Sequence, residues 1–160
     1  MSASSTKRFV RRFLTLGAST ALLAGGITAV TTTPAAAHTS YTAISEGCGW
    51  AREDYVILNT GGNIISNQAG AELGLVHLVW NGKTGQNCVV TLQTAGHGIP
   101  ISMEARLGIQ SRSGAIAYRT DSGTFGHYAA VKEYTTGQCV NFRGRIAGGV
   151  NGRTAFANCG

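Results

Sequence analysis

Apolar and polar residues alternate along much of the chain, and this period of two predicts β-strands. In residues 101–109 apolar side chains occupy every second position, and polar residues or glycine occupy the others. Because successive side chains of a strand point to opposite faces, this pattern predicts a strand with one buried face. Residues 140–146 alternate in the same way. Residues 73–80 are apolar on both faces, which predicts a central strand.

Several shorter apolar runs predict further strands, at residues 54–58, 88–93, 128–134 and 154–158. Turn sequences rich in glycine separate the runs, since tight turns often require a positive φ angle. We expect these turns at residues 61–63, 81–82, 96–98, 113–114, 121–123, 148–149 and 151–152. The spacing predicts an all-β domain, a sandwich or a barrel, of about seven or eight strands. Residues 67–73 also fit a short helix, and residues 38–46 are expected to form a loose leader.

The N-terminal segment has the pattern of a secretion signal. A basic start precedes an apolar stretch at residues 13–30, and Ala35 and Ala37 fit an A-x-A cleavage site. We therefore expect residues 1–37 to be removed, which leaves His38 as the new N-terminal residue. Glycine, serine and threonine dilute the apolar stretch, whereas a membrane span needs about 20 mainly apolar residues. No stable membrane anchor is expected after cleavage.

Removal of the signal changes the charge of the protein. The chain of 160 residues has 13 basic and 7 acidic side chains, a net charge of +6. Four basic residues lie in the signal, among them the Arg11-Arg12 pair, which partly matches a twin-arginine export signal. The remaining chain thus has nine basic against seven acidic residues. Only Arg143, Arg145 and Arg153 lie near one another in sequence, and we expect them to form a solvated face with limited scope for contact with an anionic polymer. Nucleic-acid binding, which needs clustered cations, is not expected.

The cysteines Cys48, Cys88, Cys139 and Cys159 all follow the predicted signal. An even number of cysteines in a small exported domain predicts disulfides, because oxidising compartments preserve them. Of the three pairings that four cysteines allow, we favour Cys48–Cys88 and Cys139–Cys159, since each closes a modest loop. Residues 38–160 are then a single secreted domain. The sequence has no C-x-x-C motif and no histidine at ligand spacing from a cysteine, so we expect no metal and no cofactor.

The four histidines do not form a recognisable motif. His77 lies in the predicted central strand, where a hydrogen-bonded histidine of the sheet is the simplest interpretation. His97 lies between two glycines in a predicted turn, and His38 is expected to be disordered. The sequence Asp121-Ser122-Gly123, followed by His127, resembles part of a serine-hydrolase site. A turn explains it better, because no G-x-S-x-G elbow is present.

The carboxylates give no catalytic pair either. Glu53 and Asp54 are adjacent and would point to opposite faces of a strand. Glu104 and Glu133 lie on separate predicted strands and could meet across a sheet, but the chain has too few acids for a convincing glycosidase pair. No catalytic residue is therefore predicted. Trp80 and Lys83 lie at a predicted hairpin tip and are candidate surface-binding residues.

The residues around the cysteines, together with several strand segments, resemble the spore-associated protein A family of actinomycetes. The matching segments are 48–49, 55–56, 78–91, 101–105, 121–123, 128–129, 137–140, 142–144 and 158–160. They cover nearly the whole chain after the predicted signal. Phe142 departs from the pattern, which leads us to expect tryptophan there. The resemblance transfers no active-site residues.

The resemblance implies a secreted, disulfide-stabilised protein of spores or aerial hyphae, with a structural or binding role and no enzymatic activity. Its expected partner is the spore or cell-wall surface, and polysaccharide is one candidate ligand. A secreted protease inhibitor and a carbohydrate-binding module are the alternatives, followed by a small hydrolase. An inhibitor needs a rigid exposed loop, for which the glycine-rich loops are poor candidates.

Overall fold

The computed structural model describes residues 38–159, so the predicted signal lies outside the described residues. They form one α-helix, one short 3₁₀ helix and nine strands. The bounds are α1 Ser40–Cys48, the 3₁₀ helix Arg52–Asp54, β1 Val56–Ile57, β2 Asn63–Ser66, β3 Glu72–Asn81, β4 Gln86–Gln93, β5 Ile101–Gln110, β6 Ile116–Phe125, β7 Tyr128–Tyr134, β8 Cys139–Ile146 and β9 Gly149–Ala157.

The strands form two antiparallel sheets, which confirms the all-β prediction and selects the sandwich over the barrel. The first sheet has the order β1-β3-β4-β7, and β2 pairs with a second part of β3. The second sheet has the order β6-β5-β8-β9. Strand β3 is central, as its apolar sequence predicts, because it pairs with β4 along one edge and with β1 and β2 along the other.

The main core lies between the two sheets. Alternate residues of β3 and β4, such as Val76, Leu78 and Val89, pack against Met103 and Leu107 of β5. The full set of buried residues in this cluster is Ile65, Val76, Leu78, Val89, Met103, Ala105, Leu107, Ile109, Ala129, Val140, Phe142 and Ile146. The apolar positions that define the predicted strand at residues 101–109 thus provide much of one side of this core.

Helix α1 covers the other face of the first sheet, so the prediction of a loose leader at residues 38–46 is wrong. Thr39 caps the helix, accepting a hydrogen bond from the Thr42 backbone N–H, and Gly49 ends it in a left-handed conformation. Ala43 and Ile44 are fully buried against the sheet, in a second core cluster. The helix has only nine residues, and this length leaves too little periodicity to identify it from sequence.

Three other local predictions are wrong. Residues 67–73 form no helix: the Asn67 side chain accepts hydrogen bonds from two backbone N–H groups, which makes a turn before β3. The expected turn at residues 121–123 lies inside β6, and the expected turn at 151–152 lies inside β9. In β6, pairing with β5 along all ten residues outweighs the local turn preference of Asp-Ser-Gly.

Both predicted disulfides are present. Cys48–Cys88 joins the end of α1 to β4, and Cys139–Cys159 joins the start of β8 to the segment after β9. They span 40 and 20 residues, and in the chain-entropy model each stabilises the fold by about 3–4 kcal/mol.

The outer face of the second sheet carries charged side chains. Glu104 of β5 accepts hydrogen bonds from Arg143 Nε at 3.0 Å and from Arg145 Nη2 at 2.8 Å, both on β8. Partial burial of Glu104 alone would raise the pKa of this carboxyl, but the two arginines outweigh burial and lower it. The ion-paired carboxylate therefore stabilises the folded state at neutral pH.

This ion pair predicts a dependence of stability on pH. Since the pKa of Glu104 is lower in the folded than in the unfolded state, its contribution is full above the ordinary glutamate pKa of 4.5 and is lost as the pH falls through the lowered value. We expect Glu104→Gln to reduce the free energy of unfolding at pH 7 by about 1 kcal/mol. Between pH 5 and pH 3 the free energy of unfolding should fall less in this variant than in the parent protein. Urea unfolding across this range measures both effects. Glu53→Gln is the control, and an identical acid response of parent and Glu104→Gln proteins would contradict the assignment.

Candidate metal centre

Three histidines from distant parts of the chain meet at one end of the sandwich. His38 directly precedes the cap of α1, His97 lies in the turn between β4 and β5, and His127 lies in the turn between β6 and β7. One nitrogen from each ring lies within 4.8 Å of the others. The expectation that His38 is disordered is wrong, since its ring contacts those of both other histidines.

The two turns that carry His97 and His127 are joined by backbone hydrogen bonds. Gly98 N–H donates to the Gly126 carbonyl at 2.7 Å, and Gln93 N–H donates to the His127 carbonyl at 2.9 Å. Gly96 and Gly98 have φ angles of 66° and 87°, which a residue with a side chain adopts at a cost. Glycine on both sides of His97 thus allows the tight turn that brings this ring beside His127.

The placement of His38 depends on α1. The helix is held against the first sheet by its buried residues, by the Cys48–Cys88 disulfide and by a hydrogen bond of 2.9 Å between Ser40 Oγ and His77 Nε2. His38 lies just two residues before Ser40 and is therefore fixed at the end of the sheet where the two turns meet. His77 itself is a buried histidine of the sheet, as predicted, and burial lowers its pKa.

His97 Nε2 lies at the centre of the cluster. Its distances are 3.0 Å to the backbone nitrogen of His38, 3.0 Å to His38 Nδ1 and 3.2 Å to His127 Nδ1. A ring nitrogen offers either one lone pair or one proton, so it cannot form good hydrogen bonds with three nitrogens at once. A metal ion can bind several of these lone pairs together. Imidazole nitrogen is a ligand that suits zinc, copper, nickel and iron.

The protonation of His97 fits this chemistry, because metal ligation requires neutral imidazole. Burial of the ring is the main factor that lowers the pKa of His97, and the nearby His127 and His38 lower it further. Its second nitrogen, Nδ1, is buried and has no hydrogen-bond partner among the described residues.

A carboxylate outside the cluster orients His38. Glu46 Oε2 lies 3.2 Å from His38 Nε2 and accepts a hydrogen bond of 3.3 Å from the Tyr128 hydroxyl. Metal-binding histidines commonly donate their second ring N–H to a carboxylate, which fixes the tautomer and the ring orientation. Here the contact at Nε2 leaves His38 Nδ1 directed toward His97.

Asp121, Ser122 and His127, which resemble part of a hydrolase site in sequence, do not form a catalytic triad. Asp121 Oδ2 accepts a hydrogen bond of 3.0 Å from the Ala130 backbone N–H, which joins the edges of the two sheets. Ser122 is the next residue of the same strand, and its side chain therefore points to the opposite face from Asp121. Of the three residues, only His127 belongs to the histidine cluster.

The carboxylates considered from the sequence and the candidate binding residues Trp80 and Lys83 lie apart from the cluster. Glu104 binds arginines on the second sheet, whereas Glu133 of β7 accepts a hydrogen bond of 2.7 Å from Arg119. Trp80 is partly buried at the end of β3, and the exposed Lys83 forms an ion pair with Asp54.

Sequence reasoning missed the cluster because its members are far apart in the chain. His97 lies 59 residues after His38 and 30 residues before His127, so no local spacing relates them. Two weaker signals were present. Glycine precedes both His97 and His127, as expected for tight turns, and His38 directly follows the predicted cleavage site.

Comparison with known proteins adds no assignment, since no family model, no curated protein and no solved structure matches this chain. The resemblance to the spore-associated protein A family therefore remains a prediction. In residues 38–159, no helix has the length and apolar character needed to cross a membrane.

The dependence of His38 on α1 can be tested through the disulfides. We expect the Cys48→Ser/Cys88→Ser variant to exchange the amide hydrogens of residues 40–48 at least tenfold faster, because the link between α1 and β4 is lost. The Cys139→Ser/Cys159→Ser variant is the matched control and should affect mainly β8 and β9. Hydrogen exchange measured by mass spectrometry distinguishes the two. Equal exchange of α1 in both variants would show that the disulfide does not hold the helix.

Proposed function

We propose that the protein is a secreted, disulfide-stabilised protein that binds a divalent transition-metal ion through His38, His97 and His127. The observation that carries this proposal is the convergence of three histidine nitrogens, with Glu46 behind His38 in the position of a supporting carboxylate. The two disulfides support work in an extracellular or otherwise oxidising environment. The resemblance described above favours the surface of spores or aerial hyphae as its location, with a binding role rather than a catalytic one.

Titration with Zn²⁺ against a competing chelator tests metal binding. We expect His97→Ala to weaken binding by more than about 100-fold, because it removes the central ligand. Glu46→Gln should weaken binding by about 10-fold, the lower end of the effect of losing a supporting carboxylate. Ser122→Ala is the control and should bind as the parent protein does. Equal affinity of the parent and His97→Ala proteins, both shown to be folded by circular dichroism, would overturn the proposal.

A second observation favours attachment to an anionic polymer through the outer face of the second sheet. Arg106 on β5 lies directly opposite Arg143 on β8, an arrangement in which like charges repel. The Arg106 guanidinium lies 3.8 Å from the centre of the Tyr118 ring, and its Nε is buried with no hydrogen-bond partner among the described residues. With Glu104 bound to Arg143 and Arg145, Arg106 has no carboxylate partner in the described chain.

The surface around Arg106 is an open groove lined by Arg106, Tyr118, Asn141, Phe142, Arg143, Arg153 and Thr154. Arginine binds phosphate and carboxylate groups through paired N–H donors. A cell-wall polymer that carries such groups would relieve the repulsion between the arginines. We therefore propose that this groove attaches the protein to the spore or cell surface. Two of the three arginines that lie near one another in sequence, Arg143 and Arg153, line it.

Cosedimentation with an anionic wall polymer tests this second function. We expect Arg106→Gln/Arg153→Gln to weaken binding by about 10-fold or more, and binding of the parent to fall steeply with added salt, because screening weakens exposed charge contacts. Arg52→Gln/Arg112→Gln, a change of the same charge outside the groove, is the control. Chitin and cellulose, which are neutral, should bind weakly. If Trp80→Ala abolishes binding and Arg106→Gln/Arg153→Gln does not, the hairpin tip with Trp80 and Lys83 is the attachment site instead.

A further inference from the structure

We infer that cleavage after Ala37 completes the metal centre, because it converts the backbone nitrogen of His38 into a free amine that binds Cu²⁺ together with His38 Nδ1 and His97 Nε2. This inference rests on the proposed metal binding and on the predicted removal of residues 1–37. To the proposed metal binding it adds a fourth nitrogen ligand and names Cu²⁺ as the metal. It also makes tight binding depend on cleavage of the chain.

The geometry places both nitrogens of His38 in position to chelate one ion. The backbone nitrogen and Nδ1 each lie 3.0 Å from His97 Nε2. Metal–nitrogen bonds are about 2.0 Å long, so neighbouring ligands at right angles around an ion are about 2.8 Å apart. Each pair of His38 and His97 nitrogens is thus close to the separation that one shared ion requires. Because the amine and Nδ1 belong to one residue, they close a chelate ring with the ion.

Processing changes what the His38 nitrogen can do. In the unprocessed chain it is a peptide nitrogen, whose lone pair is delocalised into the planar amide. Its N–H donates a hydrogen bond to His97 Nε2 and occupies the lone pair that a metal ion needs. Hydrolysis by a signal peptidase breaks the peptide bond between Ala37 and His38, with water adding a carboxylate to Ala37 and leaving an α-amino group on His38. The lone pair of this amine is available once its proton is released to solvent. Cleavage therefore replaces a hydrogen bond that competes with the metal by a further ligand.

The all-nitrogen donor set favours Cu²⁺ among the common divalent metals. The amine, His38 Nδ1, His97 Nε2 and His127 Nδ1 provide four nitrogens, and the last lies 3.2 Å from His97 Nε2. Copper(II) binds such nitrogen ligands most tightly of the divalent first-row metals. An open depression lined by Glu46, His127 and Tyr128, among others, adjoins the cluster and gives solvent or a small ligand access to the ion.

The test compares two forms of the protein that differ only at the N-terminus. One begins at His38, and the other begins at Pro34, so that four residues separate its amine from His38. Copper affinity is measured by competition with a chelator, and the ligands by electron paramagnetic resonance with nitrogen hyperfine coupling. Zn²⁺ affinity and thermal unfolding of both forms are measured in parallel.

We expect the form that begins at Pro34 to bind Cu²⁺ about 100-fold more weakly and with a changed spectrum that indicates fewer nitrogen ligands. Its Zn²⁺ affinity should fall less than its Cu²⁺ affinity, because the three imidazoles are retained, and its unfolding temperature should change little. Equal Cu²⁺ affinity and identical spectra for the two forms would overturn the inference and leave the proposed metal binding intact. If neither form binds Cu²⁺ or Zn²⁺, the proposed function itself is wrong.

Discussion

The packing of α1 on the outer face of the first sheet is the interaction on which the rest of the structure depends. It covers the second apolar face of β3 and β4, which would otherwise be exposed to solvent. The Cys48–Cys88 disulfide and the Ser40–His77 hydrogen bond hold the helix at its two ends. Because His38 directly precedes the capping residue of this helix, the same packing brings the first residue of the predicted mature protein to the histidines of two distant turns.

The strands that form the core were predictable from the sequence, because their pattern reflects burial on one side or on both. The alternation in residues 101–109 and the continuous apolar run at 73–80 correspond to β5 and β3. The helix was not predictable, since its nine residues are mostly small or polar and only Ala43, Ile44 and Cys48 are buried. Strand β6 was missed because it is largely exposed at a sheet edge and has no alternating apolar face.

The disulfide pairing followed from the order of the cysteines, but the histidine cluster did not follow from the order of the histidines. A disulfide that closes a modest loop can be proposed from spacing alone. The cluster depends on which turns lie at the same end of the sandwich, and that depends on strand order: β4 and β7 are neighbours, so the turn after β4 lies beside the turn before β7. The prediction that His97 lies in a turn was correct, yet its partners required the fold.

The protein thus presents two distinct surfaces, a nitrogen-rich cluster at one end and an arginine-rich face on the second sheet. The central claim is that the cluster binds a metal ion after the predicted signal is removed. A crystal structure of the protein that begins at His38, grown with Cu²⁺ and measured at the copper absorption edge, tests this claim most directly. Our account predicts one strong anomalous peak at about 2 Å from His38 Nδ1, the His38 amine and His97 Nε2. A copper peak at another position, or none at the cluster, would contradict it.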